Sequence, residues 1–171
     1  MLPIQEHPLA GKINNDWFDI AYWQNANAVT GESRGRNITW FVDYNQQNWV
    51  LRHYYRGGLI ARFNNDSYLY TGLKKTRCYL ELSLLQTMFE QDLPVPQPIA
   101  AKVVKHGLFY RADLLMKKIP NAKDLVACLS SSPLKEEQWH AIGKMVALFH
   151  KAGVYHSDLN SHNILLDKND K

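Results

Sequence analysis

The chain has 171 residues, of which 46% are hydrophobic, and a formal net charge of +4. This length suits one domain with a substantial core, or a small domain with part of a second. The mild basic charge, without a basic tail, is compatible with phosphate-bearing or anionic membrane partners and gives no indication of nucleic-acid binding. No apolar run approaches the length of a membrane span, so any membrane contact is expected to be peripheral.

The first two thirds of the chain predict an antiparallel sheet with one helix. Residues 1–24 are predicted to be an irregular extension whose aromatic side chains anchor it to the domain. Alternating apolar residues predict two neighbouring strands joined by a turn at 45–48, and a hairpin is expected around His106 and Gly107. The five strands are expected at residues 26–30, 38–44, 49–55, 99–105 and 109–118.

Helical periodicity predicts one helix between the strands and two after them. The first covers 77–91, and an apolar stripe on it holds Leu84, Leu85, Met88 and Phe89. The later helices are expected at 121–129 and from a Ser132 cap to a stop at Gly153.

This order of elements predicts an α+β, protein-kinase-like fold with two lobes. We expect a five-stranded antiparallel N-lobe with one helix, followed by a helical C-lobe that is truncated at its C-terminus. The predicted divisions are an N-terminal extension at 1–24, the N-lobe at 25–118 and an incomplete C-lobe at 119–171.

The stretch from His156 to Asn163 has the spacing of a kinase catalytic loop, with Asp two residues after His and Asn seven residues after it. Phosphoryl transfer needs one carboxylate to accept the proton of the attacking hydroxyl and an amide oxygen to hold magnesium. Asp158 and Asn163 have the residue types and the separation for these roles. The alternative is a polar turn between a helix and a strand.

Glu81 lies on the apolar stripe of the first helix, where a carboxylate is rare unless it is paired. A kinase uses such a glutamate to hold a strand cation that grips the nucleotide phosphates. Arg52, on the third predicted strand, is the candidate cation, in a place where Lys is usual. The alternative is that both side chains face solvent and do not meet.

Residues 30–36 lie between the first two predicted strands, where a phosphate-covering loop belongs. Gly31 and Gly35 would let backbone amides approach phosphate oxygens, and Arg34 and Arg36 would add positive charge. The pattern Gly-x-Gly-x-x-Gly is absent, so an ordinary hairpin turn explains the segment nearly as well.

Five basic residues follow the third predicted strand: Arg56, Arg62, Lys74, Lys75 and Arg77. They either face an acidic substrate or anionic lipid, or form a solvated surface, which is the commoner role of a charge run.

Three segments together resemble the 3-deoxy-D-manno-octulosonic acid (Kdo) kinases, which belong with the lipopolysaccharide core heptose kinases. They are 39–42, 49–59, which contains Arg56-Gly57-Gly58, and 156–167. The segment that ends in Arg-Gly-Gly is specific to this family, whereas many kinases share the loop. The resemblance runs from about residue 25 to the end.

The resemblance implies an ATP- and magnesium-dependent kinase that phosphorylates the 4-hydroxyl of Kdo on a lipid A precursor. It implies peripheral contact with an anionic membrane, at the cytoplasmic face of the bacterial inner membrane. It also implies that Asp158 is the base, that Asn163 is a metal ligand, and that Arg52 and Glu81 form the phosphate-gripping pair.

A kinase also needs the metal-binding Asp of an Asp-Phe-Gly segment, which is expected beyond Lys171. We therefore expect these 171 residues to be inactive alone, and the strand at 164–166 to lack its hairpin partner. Two alternatives stay open: another small-molecule phosphotransferase of the antibiotic or choline kinase type, and a nucleotide-binding scaffold without turnover.

Overall fold

The computed structural model describes residues 2–3, 13–34, 38–55 and 66–167. The chain divides into two compact units, Met1–Lys118 and Ile119–Lys171. Each unit is α+β, as the sequence predicts at this coarse level. Among the described residues, no helix combines the length and the apolarity that crossing a bilayer requires.

The first unit is built on an antiparallel sheet with the strand order β1-β6-β7-β4-β3-β2, and β5 pairs with β7 beside β4. Its described strands are β1 (Leu2–Pro3), β2 (Val29–Arg34), β3 (Ile38–Tyr44), β4 (Gln47–His53), β5 (Tyr68–Leu69), β6 (Pro98–His106) and β7 (Phe109–Lys117). The expected count of five was low by two, because β1 and β5 have two residues each and so show no alternation in the sequence.

The described residues form α-helices and 3-10 turns in both units. They are α1 (Ile20–Asn25), α2 (Arg77–Glu90), α3 (Leu125–Ser131) and α4 (Glu136–Lys151), and two 3-10 turns lie at Asn15–Phe18 and Leu73–Lys75. The prediction for α2 was correct to within one residue. Its buried residues are Cys78, Leu82, Leu85 and Met88, whereas the predicted stripe residues Leu84 and Phe89 are exposed.

The expectation of an irregular extension over residues 1–24 was wrong for its described part. Asn14 accepts a hydrogen bond from the Asp16 N–H at 3.0 Å and starts the 3-10 turn, and Asp19 caps α1 in the same way through Ala21 at 2.9 Å. Both are recognisable N-cap residues. Because α1 ends at Asn25 and Asn27 has a positive φ, β2 begins at Val29 rather than at 26.

Aromatic side chains from this segment complete the core of the sheet. Trp17 and Trp23 are buried, and the Trp17 ring lies 5.3 Å from that of Trp49 on β4. Tyr44 stacks on Trp49 with ring centroids 4.4 Å apart. Core packing, and not a surface patch, therefore accounts for these two tryptophans.

The turn between β3 and β4 is shorter than predicted. Only Asn45 and Gln46 form it, both with positive φ, so β4 begins at Gln47. Positive φ at both central residues is the backbone that a two-residue hairpin requires. At the other hairpin, Gly107 takes a φ of 59° between β6 and β7, in the predicted place.

The second unit is built on a two-stranded ribbon, β8 (Lys123–Asp124) and β9 (Leu165–Leu166). The helix expected at 121–129 begins only at Leu125, because Asp124 caps it by accepting the Ala127 N–H at 2.7 Å. β9 pairs with β8, which comes from earlier in the chain, so the expectation that this strand lacks the hairpin partner following it stays a prediction.

Helix α4 begins three residues later than expected. Ser132 ends α3, and Lys135 is the N-cap, with its N–H donated to the Gln138 side chain at 2.8 Å. Ile142 is buried with Leu125, Ile164 and Leu166, and further apolar side chains pack against this cluster. Trp139, predicted on the apolar face, is exposed, and the helix ends before Gly153, whose φ is 75°.

Candidate active site

The first unit holds an ion pair between Arg52 and Glu81. Arg52 lies on β4 and Glu81 on α2, and the Arg52 Nη2 atom contacts Glu81 Oε1. Glu81 shares the buried face of the helix with Cys78 and Leu85, and both charged side chains are 34% exposed. The predicted pairing is confirmed, and the alternative in which both side chains face solvent and do not meet is excluded.

Tyr54 completes this pair and was not predicted. Its hydroxyl donates to Glu81 Oε2 at 2.5 Å and accepts from Arg52 Nη2 at 3.1 Å. The Arg52 guanidinium also lies over the Tyr54 ring, 5.0 Å from its centroid. The signal was available, because residues two apart on an extended strand face the same side.

Burial and the Glu81 carboxylate together shift the ionisation of Arg52 and Tyr54. Burial disfavours the charge on Arg52, but the Glu81 carboxylate outweighs it and raises the pKa of Arg52. Burial, with the Glu81 carboxylate, also raises the pKa of Tyr54 far above its ordinary value. Near neutral pH the site therefore presents a cation and a carboxylate joined by a protonated hydroxyl.

His53, between Arg52 and Tyr54, belongs to a separate polar network. Its Nδ1 lies 2.6 Å from Asp113 Oδ1 on β7, and its Nε2 lies 3.5 Å from Asp66 Oδ2. Arg111 Nε also contacts Asp66, at 2.8 Å. The hydrogen bond to Asp113 outweighs burial and raises the pKa of His53.

The loop from His156 to Asn163 lies in the second unit and is folded largely by its own hydrogen bonds. The Asp158 N–H donates to His156 Nδ1 at 3.2 Å, so His156 helps to hold the loop. The Asp158 carbonyl accepts from Asn163 Nδ2 at 2.8 Å and from Asn160 Nδ2 at 3.2 Å. Among the described residues no partner contacts the Asp158 carboxylate, which is exposed.

The loop is fastened to the start of α3. The Leu125 N–H donates to the carbonyls of Ser161 and Ile164, at 3.1 and 2.9 Å. His162 Nδ1 lies 3.3 Å from Asp124 Oδ2. The hydrogen bond from the Ala127 N–H, and then the contact with His162, lower the pKa of Asp124. The contact between His162 and Asp124 links the loop to the N-cap of α3.

The predicted phosphate-covering loop is not borne out at Gly31. This residue lies inside β2, opposite Phe41 on β3, beside a register shift that follows Val29. A Cβ added at Gly31 would meet Phe41 Cδ2 at 3.5 Å, an ordinary contact, so the position has room for a side chain. Gly35 and Arg36 lie outside the described residues.

The residues fit a magnesium ion only in part. Asp158 and Asn163 supply exposed oxygen donors, the type that Mg²⁺ prefers while it keeps several waters and substrate phosphates. Asn163 uses Nδ2 to hold the Asp158 carbonyl, which leaves Oδ1 as the ligand atom of its amide. Within the described ranges no group of three or more His, Cys, Asp or Glu could hold a metal ion.

Residues 20–171 match the sequence profile of the lipopolysaccharide kinase (Kdo/WaaP) family. This match covers both units and all of the described site residues.

Curated relatives agree with this match. The chain is 51% identical over 154 residues to a 3-deoxy-D-manno-octulosonic acid kinase of Vibrio parahaemolyticus, covering 90% of this chain and 65% of that protein. It is 49% identical to the protein of the same name in Vibrio cholerae, covering 91% and 72%. For Haemophilus influenzae the identity is 43%, covering 91% and 67%. The chain thus spans about two thirds of the length of these relatives.

Proposed function

The chain belongs to the lipopolysaccharide kinase (Kdo/WaaP) family, and from this membership we propose that the protein transfers phosphate from ATP to a sugar hydroxyl in lipopolysaccharide core biosynthesis. The acceptor proposed is the 4-hydroxyl of Kdo on a lipid A precursor. Relatives at 43–51% identity carry the name Kdo kinase.

In the proposed reaction the sugar hydroxyl attacks the γ-phosphorus of ATP. A P–O bond forms to the sugar, the bond to the β–γ bridging oxygen breaks, and ADP leaves. Asp158 accepts the hydroxyl proton as the catalytic base. Its carboxylate is exposed, while hydrogen bonds from Asn163 and Asn160 hold its backbone carbonyl, so the group is positioned yet open to a substrate.

The ion pair of Arg52 and Glu81 is the observation that carries the proposal. A half-buried charge pair is costly unless it is well bonded, and replacement by apolar residues often preserves stability. A pair made from a strand and a helix, with Arg at the usual Lys position, matches the group that kinases use on nucleotide phosphates. The planar fork of arginine can bond a carboxylate and a phosphate oxygen at once.

Magnesium, when bound, would neutralise charge on the transferring phosphate. Asn163 is the proposed ligand. Gly31, on β2, is still proposed to lie near the phosphates, and Gly35 is proposed there from the sequence alone.

The lipid-linked acceptor leads us to propose peripheral contact with an anionic membrane, at the cytoplasmic face of the bacterial inner membrane. The net charge of +4 supports such a contact, because anionic leaflets attract basic surfaces.

The test uses the full-length natural protein with magnesium, labelled ATP and a Kdo-bearing lipid A precursor. Asp158→Ala is the active-site variant, and Glu137→Ala, an exposed acidic residue on α4, is the matched control. We expect label on the Kdo 4-hydroxyl with the natural protein and the control, and its loss in Asp158→Ala.

Two results would contradict the proposal. Label on an antibiotic or choline acceptor, with none on Kdo, would identify a different small-molecule phosphotransferase. Binding of ATP with no transfer to any acceptor would identify a scaffold without turnover.

A further inference from the structure

Four exposed apolar side chains lie at or near the tip of the β6–β7 hairpin. Leu108 occupies the turn itself and is 73% exposed, while Phe109 is 38% exposed. Leu69 on β5 lies opposite Phe109 and is 58% exposed. Leu73 follows in the neighbouring 3-10 turn and is 39% exposed.

Hydrogen bonds join the segments that carry these four residues. The Tyr70 N–H donates to the Leu108 carbonyl at 2.8 Å, so β5 closes directly on the hairpin turn. The Arg77 N–H donates to the Tyr110 hydroxyl at 3.0 Å, which holds the segment after the 3-10 turn against the start of β7. A hairpin turn is usually polar, so a leucine at its tip calls for a reason.

Lysines border the apolar residues. Lys105 lies over the Tyr70 ring, 5.0 Å from its centroid, and Lys74 and Lys75 follow Leu73 directly and are exposed. The sequence from 67 to 80 and from 102 to 112 contains six Lys or Arg and no Asp or Glu. We call Leu69, Leu73, Leu108 and Phe109, together with Lys74, Lys75 and Lys105, the hairpin-tip surface.

We propose that the hairpin-tip surface docks on an anionic lipid bilayer, with Leu108 and Phe109 inserted at the level of the headgroups. Apolar side chains ringed by lysines have the composition of an interfacial membrane contact, in which burial of the apolar groups and attraction to anionic headgroups add together. The biological purpose of this docking, access to a lipid-linked acceptor, rests on the proposed function, whereas the docking itself rests on these side chains.

The charges favour a bilayer over a protein partner. Protein interfaces are depleted in lysine, and their exposed apolar patches are usually rimmed by polar residues of mixed charge. Here all the formal charges in the two segments are positive, and a continuous anionic surface is the partner that matches them. Tyr70, beside Lys105, also has the amphipathic ring that is enriched at the membrane interface.

Vesicle flotation with the full-length natural protein tests the docking. Vesicles of phosphatidylethanolamine with phosphatidylglycerol are compared with neutral phosphatidylcholine vesicles, without ATP or acceptor. The variants are Leu108→Ser with Phe109→Ser, and separately Lys74→Glu with Lys75→Glu and Lys105→Glu. The controls are Leu84→Ser, at a 49% exposed leucine on α2, and Lys144→Glu with Lys151→Glu on α4.

We expect binding to anionic vesicles that weakens as salt increases, and little binding to neutral vesicles. The leucine–phenylalanine variant should bind at least about tenfold more weakly, equivalent to about 1.4 kcal/mol. The lysine variant should lose roughly a hundredfold at low salt, and both controls should match the natural protein. Circular dichroism and Tm check that each variant is folded.

Equal binding by the natural protein and both hairpin-tip variants would overturn the proposal. Loss of binding in the lysine variant alone would also overturn it, since that result indicates a site for soluble polyanions or an acidic protein without insertion. Equal loss in the control Lys144→Glu with Lys151→Glu would show that net charge alone drives binding and would likewise contradict the proposal.

A second assay separates this proposal from the kinase proposal. With acceptor dispersed in detergent, the hairpin-tip variants should keep the natural activity, and with acceptor in vesicles they should lose it. Vesicle binding by a protein that phosphorylates no Kdo acceptor would leave the docking surface standing while the proposed function fails. Kinase activity on a Kdo acceptor without vesicle binding would support the proposed function and contradict the docking surface.

Discussion

Most hydrogen bonds around Asp158 join residues two to five positions apart, whereas the bonds from Tyr54 and Arg52 to Glu81 cross 27 and 29 positions. The first group is exposed and the second half-buried. A locally bonded loop can lose a functional side chain with little effect on the rest of the fold. A long-range charge pair couples chemistry to packing, because either partner left alone is a half-buried charge.

Replacement of Asp158 by Asn should lower activity and leave stability almost unchanged. The amide keeps the shape and the backbone hydrogen bonds but cannot accept the hydroxyl proton, so we expect kcat to fall by about 10²–10⁴-fold. Tm should change by less than about 2 °C, because the carboxylate contacts no other described residue. Steady-state kinetics and thermal unfolding measure the two effects, and a large drop in Tm would contradict the contrast drawn above.

Replacement of Glu81 by Gln should affect both activity and stability. We expect the loss in the free energy of unfolding to be about 1–2 kcal/mol, below the 3–5 kcal/mol of a fully buried pair, since both side chains are 34% exposed. The KM for ATP should rise as Arg52 loses its position. Denaturant unfolding and ATP kinetics measure these effects, with Glu90→Gln at the exposed end of α2 as control.

Replacement of Tyr54 by Phe removes one hydroxyl and keeps the ring. Two hydrogen bonds are lost, and we expect destabilisation of about 1–2 kcal/mol. If Tyr54 positions Arg52 for phosphate, the KM for ATP should rise more than kcat falls. An unchanged KM, with only a lower Tm, would mean that the hydroxyl is purely structural.

The His53 network should make stability depend on pH. Because the pKa of His53 is raised in the folded protein, its contribution is fully present below the unfolded pKa of about 6.5 and is lost as pH rises through the folded value. We expect the natural protein to exceed His53→Asn by about 1 kcal/mol near pH 6, a typical hydrogen-bond contribution, and by less near pH 9. Denaturant unfolding at both pH values measures this, and a constant difference would contradict it.

Local signals in the sequence predicted local structure well. The bounds of α2 and the β6–β7 hairpin followed from residue types and short spacings. The errors came at positions where a cap was overlooked or chosen wrongly, as at Asp19, Asp124 and Lys135. At Asp19 and Asp124 the carboxylate accepts a free N–H of the first helical turn and sets where the helix begins, whereas at Lys135 the Gln138 side chain accepts the N–H of the N-cap residue.

By itself the sequence determined the loop chemistry, because Asp158, Asn163 and the bonds that arrange them lie within a few residues of one another. It also indicated that Glu81 needs a cation. Only the tertiary structure decided that Tyr54 joins Glu81 to Arg52, and that Tyr70 bonds to the hairpin turn at Leu108. Contacts between distant segments depend on strand order and on which face each helix buries. Those in turn follow from packing of the whole core and not from any short stretch of chain.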